Sequence, residues 1–344
     1  MKIKERFLTT GIGSLPYLDA QKGVREICSG FDIPFWPQLP KKGFKENMYV
    51  QFAEGLPALI IDEEKRKIFI DTAKDLSEGL GRIYEAYLAG DHSSLGLSKE
   101  FAEGFYAFLE SAGRSKPDYV KGQVTGPVSF GLSVVDEKGK SIIYNDTLKE
   151  GFIKLLEIKA GFQIDRLRQI SKTIIMFIDE PYLASFGSSF VSIGRHEVIL
   201  MLNSLIDKIH SLDALSAIHC CGNTDWSLLT ETGVDIISFD AYSYAEGLSL
   251  YPGKITEFLK RGGYLAWGIV PTSEAVRKET GQTLFSRLSR EIDSLEKKGV
   301  PRKLILSHSL ITPSCGMGTL SPELADIITK KLILVSRQAK DSLY

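Results

Sequence analysis

Short apolar runs that alternate with longer amphipathic segments constrain the fold of this 344-residue chain more than any other feature. Such a run, ended by Gly, Pro or an acidic residue, is typical of a buried strand, and strands alternating with helices form parallel sheets. Eight of them favour a closed barrel with its active site at the C-terminal ends of the strands. The predicted strands are residues 8–14, 33–40, 119–127, 173–181, 215–221, 234–240, 264–271 and 303–308.

The segments between these runs are predicted to be helical. Three prolines restrict the run 33–40 to a short strand followed by a loop. The region 47–113 has a helical pattern, and the mixed charges of its stretch 63–67 indicate a solvent-exposed helix face. The remaining predicted helices are 148–170, 198–212, 283–298 and 322–337.

The sequence therefore predicts an α/β protein that forms a single (β/α)8 TIM barrel over residues 1–344. No internal repeat, low-complexity segment or Pro/Gly-rich linker divides the chain. A doubly wound sheet is the alternative architecture, but no Gly-x-Gly-x-x-Gly turn supports it.

Charge and cysteine content exclude several classes of function. The 42 basic and 43 acidic residues give a net charge of −1, which provides no attraction to nucleic acid or to an anionic membrane. No segment approaches the roughly 20 apolar residues of a spanning helix. The four cysteines, two of them adjacent, are too few for a disulfide framework. We therefore expect a cytoplasmic protein that binds neither nucleic acid nor a membrane.

Metal-ligating side chains cluster at the ends of the later strands. His219 and Cys221 are two residues apart, so both point to the same side of the fifth strand. In a barrel they would meet Asp240 and Cys315 from the ends of later strands. An imidazole, two thiolates and a carboxylate suit a four-coordinate zinc ion. Cys220 is expected to point away as a packing thiol.

Other polar residues at strand ends allow more than one interpretation. Ser14 lies where backbone N–H groups could face a carboxylate, although a simple strand-to-helix turn also explains it. Asp179 and Glu180 end the fourth strand. Asp240 also suits the N-cap of the next helix. His308 is expected to be a core histidine or to support a metal ligand.

Together these motifs resemble the catalytic, C-terminal barrel of cobalamin-independent methionine synthase. The superfamily of that enzyme also includes uroporphyrinogen decarboxylase and the methylcobalamin:coenzyme M methyltransferases. The resemblance covers essentially the whole chain, and each motif falls at the strand end where the family has it. The motifs are Ile12-Gly13-Ser14, Thr125-Gly126-Pro127-Val128, Ile178-Asp179-Glu180-Pro181, His219-x-Cys221 and Pro313-Ser314-Cys315-Gly316.

This resemblance implies a role for each matching residue. The zinc ligands would be His219, Cys221, Cys315 and Asp240, the last at a position where methionine synthases usually have Glu. The backbone of Ile12-Gly13-Ser14 would hold the carboxylate of homocysteine, and Asp179 would bind its amino group. Glu180 either shares that task or braces its strand. The implied substrate-binding residues are Ile12, Gly13, Ser14, Gln38, Thr125, Asp179 and Glu180, and the implied catalytic residues are Asp179, His219, Cys221 and Cys315.

The implied reaction is the methylation of homocysteine, held as a zinc thiolate, to methionine. Two departures from the family pattern disfavour methyltetrahydrofolate as the methyl donor. Ser133 replaces a tryptophan on which folate packs, and Pro37-Gln38-Leu39-Pro40 replaces a stretch that carries a substrate-binding Glu. We therefore expect a stand-alone core methionine synthase that takes its methyl group from methylcobalamin or from a corrinoid protein.

Three alternatives remain open at this point. A corrinoid methyltransferase acting on coenzyme M would use the same zinc but would need a basic residue for the sulfonate, and Asp179 counts against it. A decarboxylase of the uroporphyrinogen type would need arginines near the first strand, where Ile12-Gly13-Ser14 supplies none. A non-enzymatic zinc-binding partner of a corrinoid carrier would hold the metal without transferring a methyl group.

Overall fold

The computed structural model describes residues 2–113, 116–188 and 192–343. The strands are, in chain order, β1 (Leu8–Thr9), β2 (Leu59–Asp62), β3 (Lys67–Ile70), β4 (Tyr119–Thr125), β5 (Val135–Asp136), β6 (Thr173–Asp179), β7 (Leu215–Cys220), β8 (Ile236–Phe239), β9 (Tyr264–Val270) and β10 (Ser309–Pro313). The helices are α1 (Ala20–Gly30), α2 (Met48–Ala53), α3 (Ser77–Ala89), α4 (Glu103–Ala112), α5 (Pro127–Ser133), α6 (Asp146–Leu167), α7 (Arg195–Ser211), α8 (Trp226–Thr230), α9 (Ala241–Leu248), α10 (Pro252–Lys260), α11 (Gly281–Lys297), α12 (Arg302–Ser307) and α13 (Pro322–Ser342). Short 3-10 helices lie at Phe44–Glu46, Ile142–Tyr144, Pro181–Ser185 and Glu274–Lys278.

Seven parallel strands form the main sheet, in the order β1-β10-β9-β8-β7-β6-β4. Helices connect successive strands, as parallel pairing requires. This arrangement confirms the α/β class. The C-terminal ends of all seven strands lie on the same side of the molecule. A smaller sheet contains the β2–β3 hairpin, and β5 pairs with β3 in parallel.

The second predicted strand, residues 33–40, is present only as an extended segment between the two edges of the main sheet. Phe35 forms an isolated parallel bridge with Lys121 of β4, and Gln38 forms another with Ser14 beyond β1. The N–H of Ile33 also donates to the carbonyl of Thr9 at 2.9 Å. Prolines in this segment lack the N–H groups of a regular ladder. The prediction of a complete eight-stranded barrel is therefore confirmed only in part.

Apolar side chains pack on both faces of the main sheet. The inner cluster includes Ile175 and Phe177 of β6 and Ala217 of β7, whereas the intervening residues of these strands face the helices. Both faces are therefore buried, which explains the continuous apolar runs in the sequence. Among the helices of the described residues, none carries an apolar stretch long enough to span a bilayer.

The prediction of a strand at residues 303–308 is wrong. Residues 303–307 lie in α12, His308 is its C-cap, and the strand β10 follows at Ser309–Pro313. A short apolar run does not by itself distinguish a strand from a buried helical turn, and Pro301 suits the start of a helix. His308 consequently precedes β10, and its ring packs 5.1 Å from that of Tyr264, the first residue of β9. It lies at the opposite end of the strands from the predicted metal site.

The prediction of continuous helical structure over 47–113 is also wrong in part. Residues 63–67 form the turn of the β2–β3 hairpin and the start of β3, not a helix face. The Oδ1 atom of Asp62 accepts a hydrogen bond from the N–H of Lys65 at 2.9 Å, an arrangement that favours a turn. The helices α2, α3 and α4 account for the rest of the periodic pattern.

Candidate metal and substrate site

A cavity of about 200 Å³ opens at the C-terminal ends of the main-sheet strands. We call it the site cavity, and it lies where the enzymes of this architecture build their active sites. Most of the sequence motifs contribute to its wall. It is lined by Ile12, Ser14, Gln38, Pro40, Glu46, Asn47, Met48, Asp179, Pro181, His219, Cys221, Cys315 and Gly316.

Three of the four predicted metal ligands meet in this cavity. One ligand atom from each of His219, Cys221 and Cys315 lies within 4.8 Å of the other two. The Nδ1 atom of His219 is 3.0 Å from the Ser238 hydroxyl, whereas its Nε2 atom is buried and has no partner within the described part of the chain. A buried polar atom without a partner is costly unless a ligand completes it. One nitrogen and two sulfurs form a donor set that suits zinc and leaves a fourth position free.

The two thiols of this group influence each other. A hydrogen bond between Cys315 and Cys221, together with His219, lowers the pKa of Cys221 and thereby favours its thiolate. The same hydrogen bond raises the pKa of Cys315. Cys220, in contrast, is completely buried in the outer core, and burial raises its pKa to about 12. It is therefore a packing thiol, as predicted.

Asp240, the fourth predicted ligand, is not part of this group. Its Oδ1 atom accepts a hydrogen bond from the N–H of Ser243 at 2.9 Å and caps α9. Burial raises the pKa of its carboxyl group. The structure thus supports the capping role that the sequence also allowed, and metal ligation by Asp240 stays a prediction.

Asp179 presents an unsatisfied carboxylate oxygen to the site cavity. The residue is 7% exposed, and its Oδ1 atom has no hydrogen-bond partner among the described residues. Burial raises its pKa to about 6, against the opposing attraction of Lys121 and His219. A buried carboxylate oxygen beside a metal group is a strong acceptor for an ammonium group of a ligand.

Glu180 and Thr125 have structural partners and do not line the site cavity. The Glu180 carboxylate accepts hydrogen bonds from the N–H groups of Val128 and Ser129, at 2.9 and 2.8 Å, and from the Ser129 hydroxyl at 2.6 Å. It thereby completes the N-terminus of α5. The Thr125 hydroxyl donates to the carbonyl of Met48 at 2.8 Å and anchors α2. Their contacts with substrate stay a prediction.

The turn formed by residues 12–14 is held in place from two sides. The Ser14 hydroxyl accepts a hydrogen bond from the N–H of Gly318 at 3.1 Å. The carbonyl of Gly13 accepts from the N–H of Gln38 at 3.1 Å, and a side chain at Gly13 would lie 2.9 Å from the Gln38 amide oxygen. Ile12, Ser14 and Gln38 line the site cavity, whereas Gly13 allows the close approach of the two segments. Substrate binding by these residues stays a prediction.

Two buried charged residues near the site were missed by the sequence analysis. Glu46 lines the site cavity, and its carboxylate accepts hydrogen bonds from the N–H groups of Leu39 and Glu103. Its position in a short 3-10 helix gives no periodic signal. Lys121 lies in the middle of β4 and is completely buried. A lysine inside a buried strand was a signal that the sequence did contain.

A second cavity, of about 590 Å³, adjoins the first, and Asn47 contributes to the walls of both. We call it the hairpin cavity because β3 and the turn before it form one side. Ser133 also lines it. The full lining is Phe44, Asn47, Tyr49, Val50, Arg66, Lys67, Ile68, Phe69, Ser133, Val135, Asp136, Glu137 and Gly139.

Neither models of known protein families nor curated protein sequences give a match to this chain. Among solved structures, it is similar to a B12-independent methionine synthase from Shewanella sp. W3-18-1 in complex with selenomethionine. The identity is 18% and the TM-score 0.42, over 69% of this chain and 67% of that chain. A similarity this weak supports no functional inference, so the function must be argued from the side chains.

Proposed function

We propose that this chain is a zinc-dependent methyltransferase that converts homocysteine to methionine, with residues 1–344 acting as one catalytic unit. One observation carries the proposal: the His219, Cys221 and Cys315 group shares a single cavity with the unsatisfied carboxylate oxygen of Asp179. The metal group suits a thiol, and the carboxylate suits an ammonium group. Homocysteine carries both.

The donor atoms fit a zinc ion that retains a position for substrate. His219, Cys221 and Cys315 would hold the ion, and Ser238 would orient the His219 ring through its second nitrogen. Bound zinc lowers the pKa of a coordinated thiol and so supplies a sulfur nucleophile at neutral pH.

The residues around the metal group would orient an amino-acid substrate. Asp179 would accept a hydrogen bond from its ammonium group, and the backbone of Ile12–Ser14 would meet its carboxylate. Met48 and Pro181 add apolar surface for the two methylene groups. During transfer, a sulfur lone pair forms the S–CH₃ bond while the donor–CH₃ bond breaks and its electron pair stays on the donor.

The hairpin cavity is the side from which we propose that the methyl donor approaches, because it adjoins the site cavity at Asn47. Ser133 provides no stacking surface there, which favours methylcobalamin or a corrinoid protein over methyltetrahydrofolate. The cytoplasm is the proposed location.

The charges of the site cavity distinguish this proposal from its alternatives. Within the described chain, the cavity lining contains two carboxylates, Glu46 and Asp179, and no lysine or arginine. The sulfonate of coenzyme M and the several carboxylates of a uroporphyrinogen would therefore face negative charge without a basic partner. An ammonium-bearing thiol meets complementary charge in the same place.

The decisive experiment measures methionine formation from homocysteine on zinc-loaded protein, with methylcobalamin and with methyltetrahydrofolate in parallel. Product from methylcobalamin alone supports the proposed donor, and equal rates with both donors would contradict it. Zinc-loaded protein that methylates coenzyme M but not homocysteine would overturn the proposed acceptor. Stoichiometric zinc without methylation of any thiol would indicate a metal-binding partner protein.

A further inference from the structure

Lys121 is a lysine buried among aromatic side chains in the interior of the molecule. Its side chain is completely buried, and it points between Phe177 and Phe35, with Nζ 4.4 and 5.3 Å from the two ring centroids. Phe177 belongs to the inner apolar cluster of the main sheet. Burial of an ammonium group costs several kcal/mol unless charges and hydrogen bonds compensate for it. The groups that compensate for this cost therefore indicate the role of Lys121.

One of the partners of Lys121, Ile12, lines the site cavity. Lys121 Nζ donates to the carbonyl of Ile12 at 2.6 Å and to the side-chain oxygen of Gln123 at 2.9 Å. Gln123 in turn donates to the carbonyl of Trp36 at 2.9 Å. One ammonium group thus connects β4 to the turn that begins at Ile12 and, through Gln123, to the extended segment that bridges the sheet edges.

Lys121 also interacts with the charge that faces the substrate. Its Nζ atom lies 4.4 Å from the ring centroid of Phe177, and Asp179 follows Phe177 by two residues on the same face of β6. Burial lowers the pKa of Lys121 and raises that of Asp179, and the attraction between the two groups opposes both shifts. Asp179 has a free Oδ1 atom, so Lys121 balances its charge without occupying its acceptor.

We infer that Lys121 is a positioning residue of the site cavity, which fixes the Ile12 carbonyl and supplies the countercharge for Asp179. Through the first contact it holds the turn that meets the substrate carboxylate. Through the second it keeps the Asp179 oxygen available for the substrate ammonium group. The inference rests on the proposed function, because it requires a ligand that carries both an ammonium and a carboxylate group.

A matched pair of variants tests this role. Lys121→Met keeps the length of the side chain but removes its charge and its donors. Lys159→Met does the same to a second completely buried lysine, whose Nζ donates to the carbonyl of Gly96 at 3.0 Å and which does not line the site cavity. Calorimetry on the zinc-loaded proteins measures the binding of homocysteine, of 4-mercaptobutanoate, which lacks the amino group, and of 3-aminopropanethiol, which lacks the carboxylate.

Lys121→Met is expected to weaken homocysteine binding about tenfold or more and to weaken both analogues, because each retains one of the two contacts. Zinc stoichiometry should not change. Lys159→Met is expected to lower the melting temperature without changing homocysteine affinity. Wild-type affinity in folded, zinc-loaded Lys121→Met, or equal losses of affinity in both variants, would overturn the inference.

A second comparison tests the positioning role of Lys121 if Lys121→Met does not fold. Lys121→Met/Asp179→Asn removes both buried charges, and it should bind 4-mercaptobutanoate more weakly than Asp179→Asn alone, because its turn is no longer fixed. Equal binding would contradict the role of Lys121.

Failure of the proposed function would show as wild-type protein that binds none of the three thiols. In that case a crystal structure of Lys121→Met, or of the double variant, remains informative. Displacement of the turn at Ile12–Ser14 by more than about 0.5 Å would support the positioning role, and an unmoved turn would overturn it.

Discussion

The Nδ1 atom of His219 on β7 lies 3.0 Å from the hydroxyl oxygen of Ser238 on the neighbouring strand β8. This contact orients the imidazole ring and leaves Nε2 as its free ligand atom. Loss of support of this kind typically costs about 10- to 100-fold in metal affinity.

Ser238→Ala is therefore expected to lower zinc affinity by about 10- to 100-fold. Competition with a chromophoric chelator measures the change. Ser336→Ala is the matched control, because Ser336 is also buried but donates to the carbonyl of Phe7, away from the site. Unchanged zinc affinity in Ser238→Ala would exclude Ser238 as a support of His219.

Substitution of either site thiol is expected to release the metal. Cys221→Ser and Cys315→Ser replace a thiolate by a hydroxyl, which is a poorer zinc ligand, and both should abolish methyl transfer. Zinc analysis after dialysis checks the first effect. Cys220→Ser alters the adjacent thiol, which is buried in the outer core, and should retain zinc, although it loses stability. Stoichiometric zinc in both site variants would refute the assigned ligands.

Asp179→Asn should discriminate between substrates with and without an amino group. Loss of the charge-assisted hydrogen bond is expected to raise the KM for homocysteine about tenfold or more and to change the KM for 4-mercaptobutanoate far less. Glu180→Gln provides the comparison, because its carboxylate braces α5 outside the cavity. It should lower the melting temperature and leave the ratio of the two KM values unchanged. An unchanged ratio in Asp179→Asn would remove the proposed ammonium contact.

Glu46 is expected to make folding stability depend on pH. Burial raises its pKa to about 7 from the ordinary value of 4.5, although backbone hydrogen bonds from Leu39 and Glu103 oppose the shift. The folded protein therefore binds the proton more tightly than the unfolded chain. This stabilisation is fully present below about pH 4.5 and is lost as pH rises through about 7, with a total of up to about 3 kcal/mol.

Urea denaturation of wild-type protein and Glu46→Gln between pH 4.5 and 8 measures this contribution. The free energy of unfolding of wild-type protein should fall more steeply with rising pH than that of the variant. Glu85→Gln, on the exposed side of α3, should retain the wild-type slope. Equal slopes for wild-type protein and Glu46→Gln would show that Glu46 does not retain its proton in this range.

The sequence was sufficient where a pattern had one physical explanation. The runs that became β6 and β9 are apolar on both faces because the sheet is buried on both sides, so their positions could be predicted. The two-residue spacing of His219 and Cys221 likewise fixed their common direction.

Where a short sequence pattern suited two different structures, the sequence alone could not decide between them. The apolar run before β10 suited a helical turn as well as a strand, and tertiary packing selected the helix α12. Asp240 suited both a metal ligand and an N-cap, and in the structure its carboxylate accepts a hydrogen bond from the first turn of α9. The sequence alone could not distinguish the role of Glu180 from that of Asp179, because the contact of Glu180 with the N-terminus of α5 depends on the tertiary structure.

The isolated bridges at Phe35 and Gln38 give the main sheet a seam with few backbone hydrogen bonds. In amide hydrogen exchange, such a seam opens at a lower free energy than the continuous ladders around it. Because Ser14 and Gln38 also line the site cavity, a ligand that contacts both residues would add contacts across the seam. Ligand occupancy and closure of this seam are thus thermodynamically linked, and a bound substrate would slow exchange at the seam without contacting most of its amides.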